Sequence, residues 1–192
     1  MSLKPPSTSA NAGRLAPVEP SHAPLFCFAL LTISCGFASF ALACATPFAA
    51  FAVMAAAMLP LRPALLVVAG ALLVNQGIGF GALHYPKSMN TVLWGLAIGL
   101  AALAATVISA TVLRSLSQSR AHLAMAIALA CGYGAYELVI LAATRFLGGA
   151  GSFTVATVSR IGFLNVAWLI ALIAVCEILR LLNPIGPGRT VT

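Results

Sequence analysis

Residues 72–94 read LLVNQGIGFGALHYPKSMNTVLW, and this stretch joins two apolar segments through an unusually polar and glycine-rich turn. Its side chains with hydrogen-bonding or stacking capacity lie close together in sequence: Asn75, Gln76, His84, Tyr85, Asn90 and Trp94. Glycines at 77, 79 and 81 let a bulky ring approach the backbone, because glycine has no Cβ. The stretch is either a turn between two membrane spans or one wall of a binding site.

The composition indicates a membrane protein. Of 192 residues, 61% are hydrophobic and 7% are charged, whereas soluble domains carry about 25% charged residues. The ten basic residues are scattered singly, so the net charge of +7 does not indicate nucleic-acid binding. The five cysteines lie in apolar runs without a CxxC motif, which is typical of buried small side chains.

Six helical spans are predicted, because a helix needs about 20 apolar residues to cross a bilayer. The fold class is therefore an all-α integral membrane bundle. The second span is short or kinked, since one helix over 24–59 is about 54 Å long and exceeds a single crossing. The predicted spans are 24–44, 46–59, 62–83, 89–114, 121–146 and 156–182, between a disordered tail over 1–23 and a second tail over 183–192.

The basic residues predict the orientation. With six spans and both termini cytoplasmic, seven basic residues lie inside and three lie outside, in agreement with the positive-inside rule. The inner set is Lys4, Arg14, Arg62, Arg114, Arg120, Arg180 and Arg189, and the outer set is Lys87, Arg145 and Arg160. This pattern predicts a multi-pass membrane protein with both termini inside.

Polar residues of several spans are predicted to share one layer in the outer half. At 1.5 Å per residue, Asn75, Gln76, Glu137 and Asn165 lie about 10–14 Å below the outer ends of their helices. An intramembrane glutamate is costly unless it is paired or faces water. We therefore expect a ligand cavity in this layer, with Tyr133 and Glu137 in its wall. The alternative is a structural ion pair of Glu137 with Arg145 or Arg160.

Other features have simpler interpretations. Glu177 and Arg180 are three residues apart at the predicted inner boundary, where a salt-bridged pair is expected. Small residues recur at four-residue spacing, which favours close helix packing: Ala41, Ala45 and Ala49; Gly95 and Gly99; Ala128 and Gly132. There is no P-loop, HExxH or EF-hand motif, and GAGSF at 149–153 has no evident base partner for a serine nucleophile.

The six-span, alanine-rich pattern over residues 24–182, with its short early span and outer polar layer, resembles the substrate-binding S-components of energy-coupling-factor (ECF) vitamin transporters. The resemblance implies a cytoplasmic amino terminus and a ligand near the outer surface, beside the loop joining spans three and four. It also implies docking of an ECF coupling module, which supplies a transmembrane subunit and ATPases, on Ala41, Ala45 and Ala49. The chain itself shows no ATPase motif.

A narrower resemblance rests on Asn75-Gln76-Gly77-Ile78-Gly79-Phe80 and its continuation to Tyr85-Pro86, which is similar to the BtuM-type cobalamin transporters. It implies a multi-pass location in a bacterial inner membrane and cobalamin as the transported ligand, with a cysteine near this motif as a cobalt ligand. Residues 72–94 contain no cysteine, which departs from that pattern. The axial ligand is then His84, since imidazole is a plausible cobalt ligand, or Cys44 near the outer end of span one.

Four functions follow as hypotheses, of which the last is a purely structural subunit whose outer polar layer serves only stability. The first is uptake of a vitamin, cobalamin or another corrinoid, without a cofactor of the protein's own. The second is an S-component for a different, smaller anionic vitamin or precursor, and the third is a membrane enzyme or assembly factor with Glu137 and His84 as acid and base. The expected ligand-binding residues are Asn75, Gln76, Gly79, His84, Tyr85, Asn90, Trp94, Tyr133, Glu137, Arg145, Arg160 and Asn165.

Overall fold

The chain folds as a bundle of six α-helices in a computed structural model that describes residues 17–19, 21–42, 45–116, 121–149, 151 and 153–182. The helices are α1 (Ala23–Leu42), α2 (Phe48–Met58), α3 (Leu61–Gly81), α4 (Met89–Ser115), α5 (Ala121–Leu147) and α6 (Val155–Leu182). Each begins and ends within two residues of its predicted span. Five are long and apolar enough to cross a membrane, and α2 is shorter. The prediction of an all-α, six-helix membrane bundle is confirmed.

Helix α2 is the centre of the bundle. Its 11 residues extend about 16 Å, roughly half the hydrocarbon thickness of about 30 Å. Nine of those residues are buried, and α2 contacts each of the other five helices. The second span, predicted to be short or kinked, is therefore a half-length helix enclosed by protein.

The sequence of α2 suits this enclosed position. Pro47 precedes its first turn and Pro60 follows its end, so neither flank continues the helix. Between them alanines alternate with larger side chains, among which Phe51 and Met54 are fully buried. Because lipid is as apolar as these side chains, the association depends on close packing and hydrogen bonds more than on exclusion from water.

Helices α1 and α3 lie side by side and run parallel. The Cys35 thiol donates to the carbonyl of Ala71 at 3.3 Å, and Asn75 Nδ2 donates to Ser39 Oγ at 2.8 Å. Both pairs are separated by the same 36 residues, so the two helices advance together. Helix α2 must then run in the opposite direction.

Small residues allow the long helices to approach closely. A Cβ at Gly99 would lie 2.7 Å from Leu72 of α3, and a Cβ at Gly132 would collide with the Ser109 side chain of α4. Ser109 Oγ also donates to the carbonyl of Ala128 at 3.3 Å across the antiparallel α4–α5 pair. The prediction that these small residues serve helix packing is confirmed at Gly99 and Gly132.

The links α1–α2, α3–α4 and α5–α6 meet at one end of the bundle, which we call the connector end. Thr46, in the first link, accepts a hydrogen bond from Asn75 near the end of α3 at 3.0 Å. A Cβ at Gly149, just after α5, would lie 3.7 Å from the Trp94 ring near the start of α4. That the connector end faces outward remains a prediction from the distribution of basic residues.

The predicted docking alanines do not form one helical face. Ala41 is exposed near the end of α1, Ala45 lies in the α1–α2 link, and Ala49 is 1% exposed in the first turn of α2. The four-residue spacing therefore crosses the break between two helices. Buried within the bundle, Ala49 is not available to a partner protein.

The predicted amino-terminal tail is partly ordered. Val18 packs against the core, and the backbone N–H of His22 donates to the carbonyl of Glu19 at 2.9 Å before α1 begins at Ala23. The prediction of disorder up to residue 23 rested on the Pro/Ser-rich composition and took no account of the apolar side chain of Val18. Residues 1–16 and 20, and the tail over 183–192, lie outside the described residues.

Candidate functional site

A cavity of about 230 Å³ lies at the connector end, between the ends of α2, α3 and α4. Four predicted site residues line it, namely Asn75, Gln76, Tyr85 and Trp94. The other lining residues are Thr46, Phe48, Pro86, Thr91, Gly95 and Ile98. None of these ten side chains carries a charge.

The segment 82–88, which we call the α3–α4 strap, turns back over the end of α3. His84 has a φ of 53°, in the left-handed region, where histidine is enriched among non-glycine residues. The backbone N–H of Tyr85 then donates to the carbonyl of Gly79 at 3.0 Å, which folds the strap back onto the end of α3. This turn brings Tyr85 and Pro86 to the cavity.

Gly79 provides the surface on which the Tyr85 ring lies. A Cβ at Gly79 would be 2.7 Å from two carbons of that ring, whereas a Cβ at Gly77 or Gly81 would meet nothing within 4 Å. Tyr85 also forms an edge-to-face contact with Phe80, with ring centroids 6.4 Å apart, and this contact helps to hold the Tyr85 ring in place. The glycines were expected to let a bulky ring approach the backbone. At Gly79, the ring that does so is the side chain of Tyr85.

Asn75 ties the α1–α2 link to α3. Its Nδ2 donates to Ser39 Oγ at 2.8 Å and to Thr46 Oγ1 at 3.0 Å. Both hydrogens of the amide are used in these contacts, which leaves Oδ1 for a ligand. Asn75 is thus mainly a positioning residue that holds Thr46 at the cavity.

The amide of Gln76, the residue that follows Asn75 on α3, lies against α4. A Cβ at Gly95 would be 2.8 Å from Gln76 Oε1 and 3.2 Å from its Cδ, so the glycine makes room for the amide. No described residue forms a hydrogen bond with this side chain. Gln76 is half-buried and its amide is not a buried unsatisfied group, so water or a solute that enters the cavity can reach it. Gln76 is therefore the cavity's most available recognition group.

Three of the six lining residues that were not predicted from the sequence come from one face of α4. Ser88 caps this helix, since its Oγ accepts from the backbone N–H of Thr91 at 3.2 Å. From that start, Thr91, Trp94, Gly95 and Ile98 follow helical spacing and line the cavity together. The signal was helical spacing around Trp94, the one α4 lining residue that was predicted: Thr91 lies three residues before it, and Gly95 and Ile98 lie one and four residues after it.

Asn165 has a structural role on α6. Its Oδ1 accepts from the backbone N–H of Ala50 at 2.9 Å, and its Nδ2 donates to the carbonyl of Ile161 at 2.9 Å. Ala50 lies in the first turn of α2, where helix N–H groups lack partners within the helix. Asn165 is 2% exposed and does not line the cavity, so the expectation that it binds ligand is corrected to capping α2.

Tyr133 and Glu137 form a separate cluster between α5 and α6. Tyr133 Oη donates to the carbonyl of Val158 at 2.6 Å, and the Glu137 carboxyl lies beside the tyrosine. Oε1 of Glu137 is buried without a hydrogen-bond partner among the described residues. Neither side chain lines the cavity. The residues of α5 and α6 that were expected to bind ligand therefore do not line this cavity.

The three outer basic residues also lie outside the cavity: Lys87, Arg145 and Arg160 are all exposed. Within the described residues, the recorded salt bridge joins Arg180 Nη1 to Glu177 Oε1 at 3.8 Å, which confirms the expected pair on α6. An ion pair of Glu137 with a basic residue, the simpler alternative, is not formed there.

The remaining candidates do not assemble a metal site. His84 and Asn90 are exposed and do not line the cavity, and Cys44 lies outside the described residues. No group of three or more His, Cys, Asp or Glu side chains that might hold a metal ion occurs in the described part of the chain. Three of the described cysteines are buried, as expected, and Cys131 is exposed.

Comparison with protein-family models finds no match, and comparisons with curated proteins and with solved structures find no match either.

Proposed function

We propose that this chain is a membrane uptake protein that captures a small vitamin-like solute in the cavity beneath the α3–α4 strap. The observation that carries the proposal is the unpaired Gln76 amide in the cavity wall. This amide is half-buried and lines the cavity, so a solute that enters can take the place of water as its hydrogen-bond partner. The site also lies beside the loop between spans three and four, where the resemblance to S-components implies a ligand.

The cavity favours a ligand smaller than a corrinoid. Pockets for drug-sized molecules are about 300–1,000 Å³, and a cavity of about 150 Å³ accepts benzene. A volume of about 230 Å³ suits one or two fused rings. Corrinoid uptake would require the strap to move away from α4, and neither His84 nor a described cysteine lines the cavity as an axial ligand. We therefore prefer the smaller vitamin or precursor.

The chemistry of the lining also favours a neutral ligand. An anion would enter a cavity lined by ten uncharged residues, where burial of an unpaired charge is costly. The expectation of an anionic solute rested on Lys87, Arg145 and Arg160, which are exposed and do not line the cavity. The enzyme hypothesis is weaker for a similar reason, since Glu137 and His84 lie outside the cavity.

Energy for uptake would come from a partner, such as a coupling module in the same membrane, because no ATPase motif occurs in the sequence. In this proposal the protein resides in a bacterial inner membrane with the connector end outside. A coupling module would dock elsewhere than on Ala49, which is buried.

Cavity filling tests the proposal. In Gly95→Leu, the new side chain meets first only the flexible end of Gln76 and occupies the cavity, whereas the same enlargement at Gly77 meets nothing within 4 Å of its Cβ. We expect purified native protein and Gly77→Leu to release the same small molecule, identified by mass spectrometry, and Gly95→Leu to release none. Equal retention by both variants, or no retained molecule in any, would contradict the proposal. A corrinoid absorbance band in native protein would restore the corrinoid hypothesis.

A further inference from the structure

The cavity presents a donor and an acceptor side by side. The Gln76 amide carries an N–H₂ donor next to a carbonyl acceptor, and neither is bonded to a described residue. The indole N–H of Trp94, on the opposite helix, is likewise without a hydrogen-bond partner in the described chain. Gly95 leaves the amide accessible because it places no side chain against it.

The rest of the lining is suited to a flat molecule. Three aromatic side chains, Phe48, Tyr85 and Trp94, contribute to the wall, and aromatic contacts favour planar partners. Phe48 is held edge-on against Phe51 with ring centroids 5.9 Å apart, and Tyr85 is held on Gly79. Two of the three rings are therefore fixed by packing before any ligand arrives.

We propose that the ligand is a neutral, planar heterocycle of one or two fused rings, with adjacent ring N–H and C=O groups that pair with the Gln76 amide. Such a lactam edge matches a side-chain amide with two parallel hydrogen bonds, in the way that Asn and Gln read the edge of adenine. The aromatic residues contact the ring faces. This inference rests on the proposed function, since it names the class of solute for the same cavity.

Three probes of nearly equal size distinguish the contributions of a lactam edge, of the two rings alone and of a negative charge. They are 2-quinolone, which has the lactam edge; naphthalene, which has the two rings alone; and 2-naphthoate, which adds a negative charge. Binding to the full chain in lipid nanodiscs is measured by equilibrium dialysis, and binding to nanodiscs containing Gly95→Leu protein is subtracted as the contribution outside the cavity. Gln76→Leu removes the amide, and Thr111→Val is the control, because it removes a hydroxyl from an exposed position of α4 away from the cavity.

We expect 2-quinolone to bind most tightly of the three, and Gln76→Leu to weaken it by about 10- to 100-fold through loss of two hydrogen bonds. Thr111→Val should leave the affinity unchanged, and naphthalene binding should be insensitive to Gln76→Leu. Thermal unfolding of each variant shows that a loss of binding is not a loss of folding.

The outcomes separate this inference from the proposed function. If naphthalene binds as tightly as 2-quinolone, or if Gln76→Leu does not weaken the binding of 2-quinolone, the inference of a lactam edge is wrong. The proposal of a cavity for a small solute then still stands. If 2-naphthoate binds most tightly of the three probes, the inference that the ligand is neutral is wrong. If no probe binds but native protein releases a small molecule that Gly95→Leu lacks, only the class fails. If Gly95→Leu also changes nothing, both proposals fail.

Discussion

Replacing Gly79 by alanine would place a methyl group 2.7 Å from two ring carbons of Tyr85. Carbon atoms pack at about 3.5–4.0 Å, so the ring must move by about 1 Å. Overpacking of this kind costs about 1–3 kcal/mol. The better helix propensity of alanine returns about 0.5–1 kcal/mol. We expect a net loss of about 0–2.5 kcal/mol and displacement of Tyr85 from the cavity.

The same helix supplies two matched controls. Gly77→Ala and Gly81→Ala introduce the same methyl group where nothing lies within 4 Å. They should therefore be neutral, or more stable by up to about 1 kcal/mol. The measurement is the free energy of unfolding in mixed detergent–SDS micelles, followed by circular dichroism, together with ligand or probe binding to the cavity.

A double-mutant cycle assigns the loss to one contact. In a Tyr85→Ala background the ring is absent, so Gly79→Ala should behave like its neighbours at 77 and 81 and reveal a coupling energy of about 1–3 kcal/mol. A Gly79→Ala protein that is as stable as Gly77→Ala and binds probes normally would refute the reasoning. The strap would then not be held by the fit of Tyr85 on Gly79.

Two further predictions concern the packing of the bundle. Asn165→Leu leaves the Ala50 N–H, now bonded at 2.9 Å, without its acceptor and should cost about 1–3 kcal/mol of unfolding free energy. Asn165→Asp keeps an acceptor and should lose less, so equal losses in the same SDS titration would contradict the capping role. Gly132→Ala sets a methyl group against Ser109, whereas Gly134→Ala meets nothing within 4 Å. The first should lower the thermal unfolding midpoint and the second should not, and matching midpoints would show that α4 and α5 do not depend on this close approach.

The spans were predictable because their signal is local. Whether a stretch such as 89–114 crosses a bilayer depends on its own length and apolarity, and each helix ends within two residues of the prediction. Asn75, Gln76, Tyr85 and Trp94 were also found from local signals, since they flank one turn. The cavity is lined by all four.

The positions of Asn165 and Glu137 were not predictable in this way. Counting residues gives the level of a side chain along its helix, but not the direction in which it points around the helix axis. Amphipathic helices reveal that direction through their apolar stripe, whereas helices that are apolar all round mark no face. Asn165 therefore contacts α2, and Glu137 lies beside Tyr133. Neither side chain lines the cavity.

The amino-acid sequence by itself determined a six-helix membrane bundle with a short second helix and a polar turn after the third. Only the tertiary structure decided that α2 fills the centre, that Asn165 caps it from α6, and that the cavity is small and uncharged. The physical reason is that apolarity and length are properties of one segment, whereas the rotation of each helix is decided by the small residues and hydrogen bonds of its neighbours.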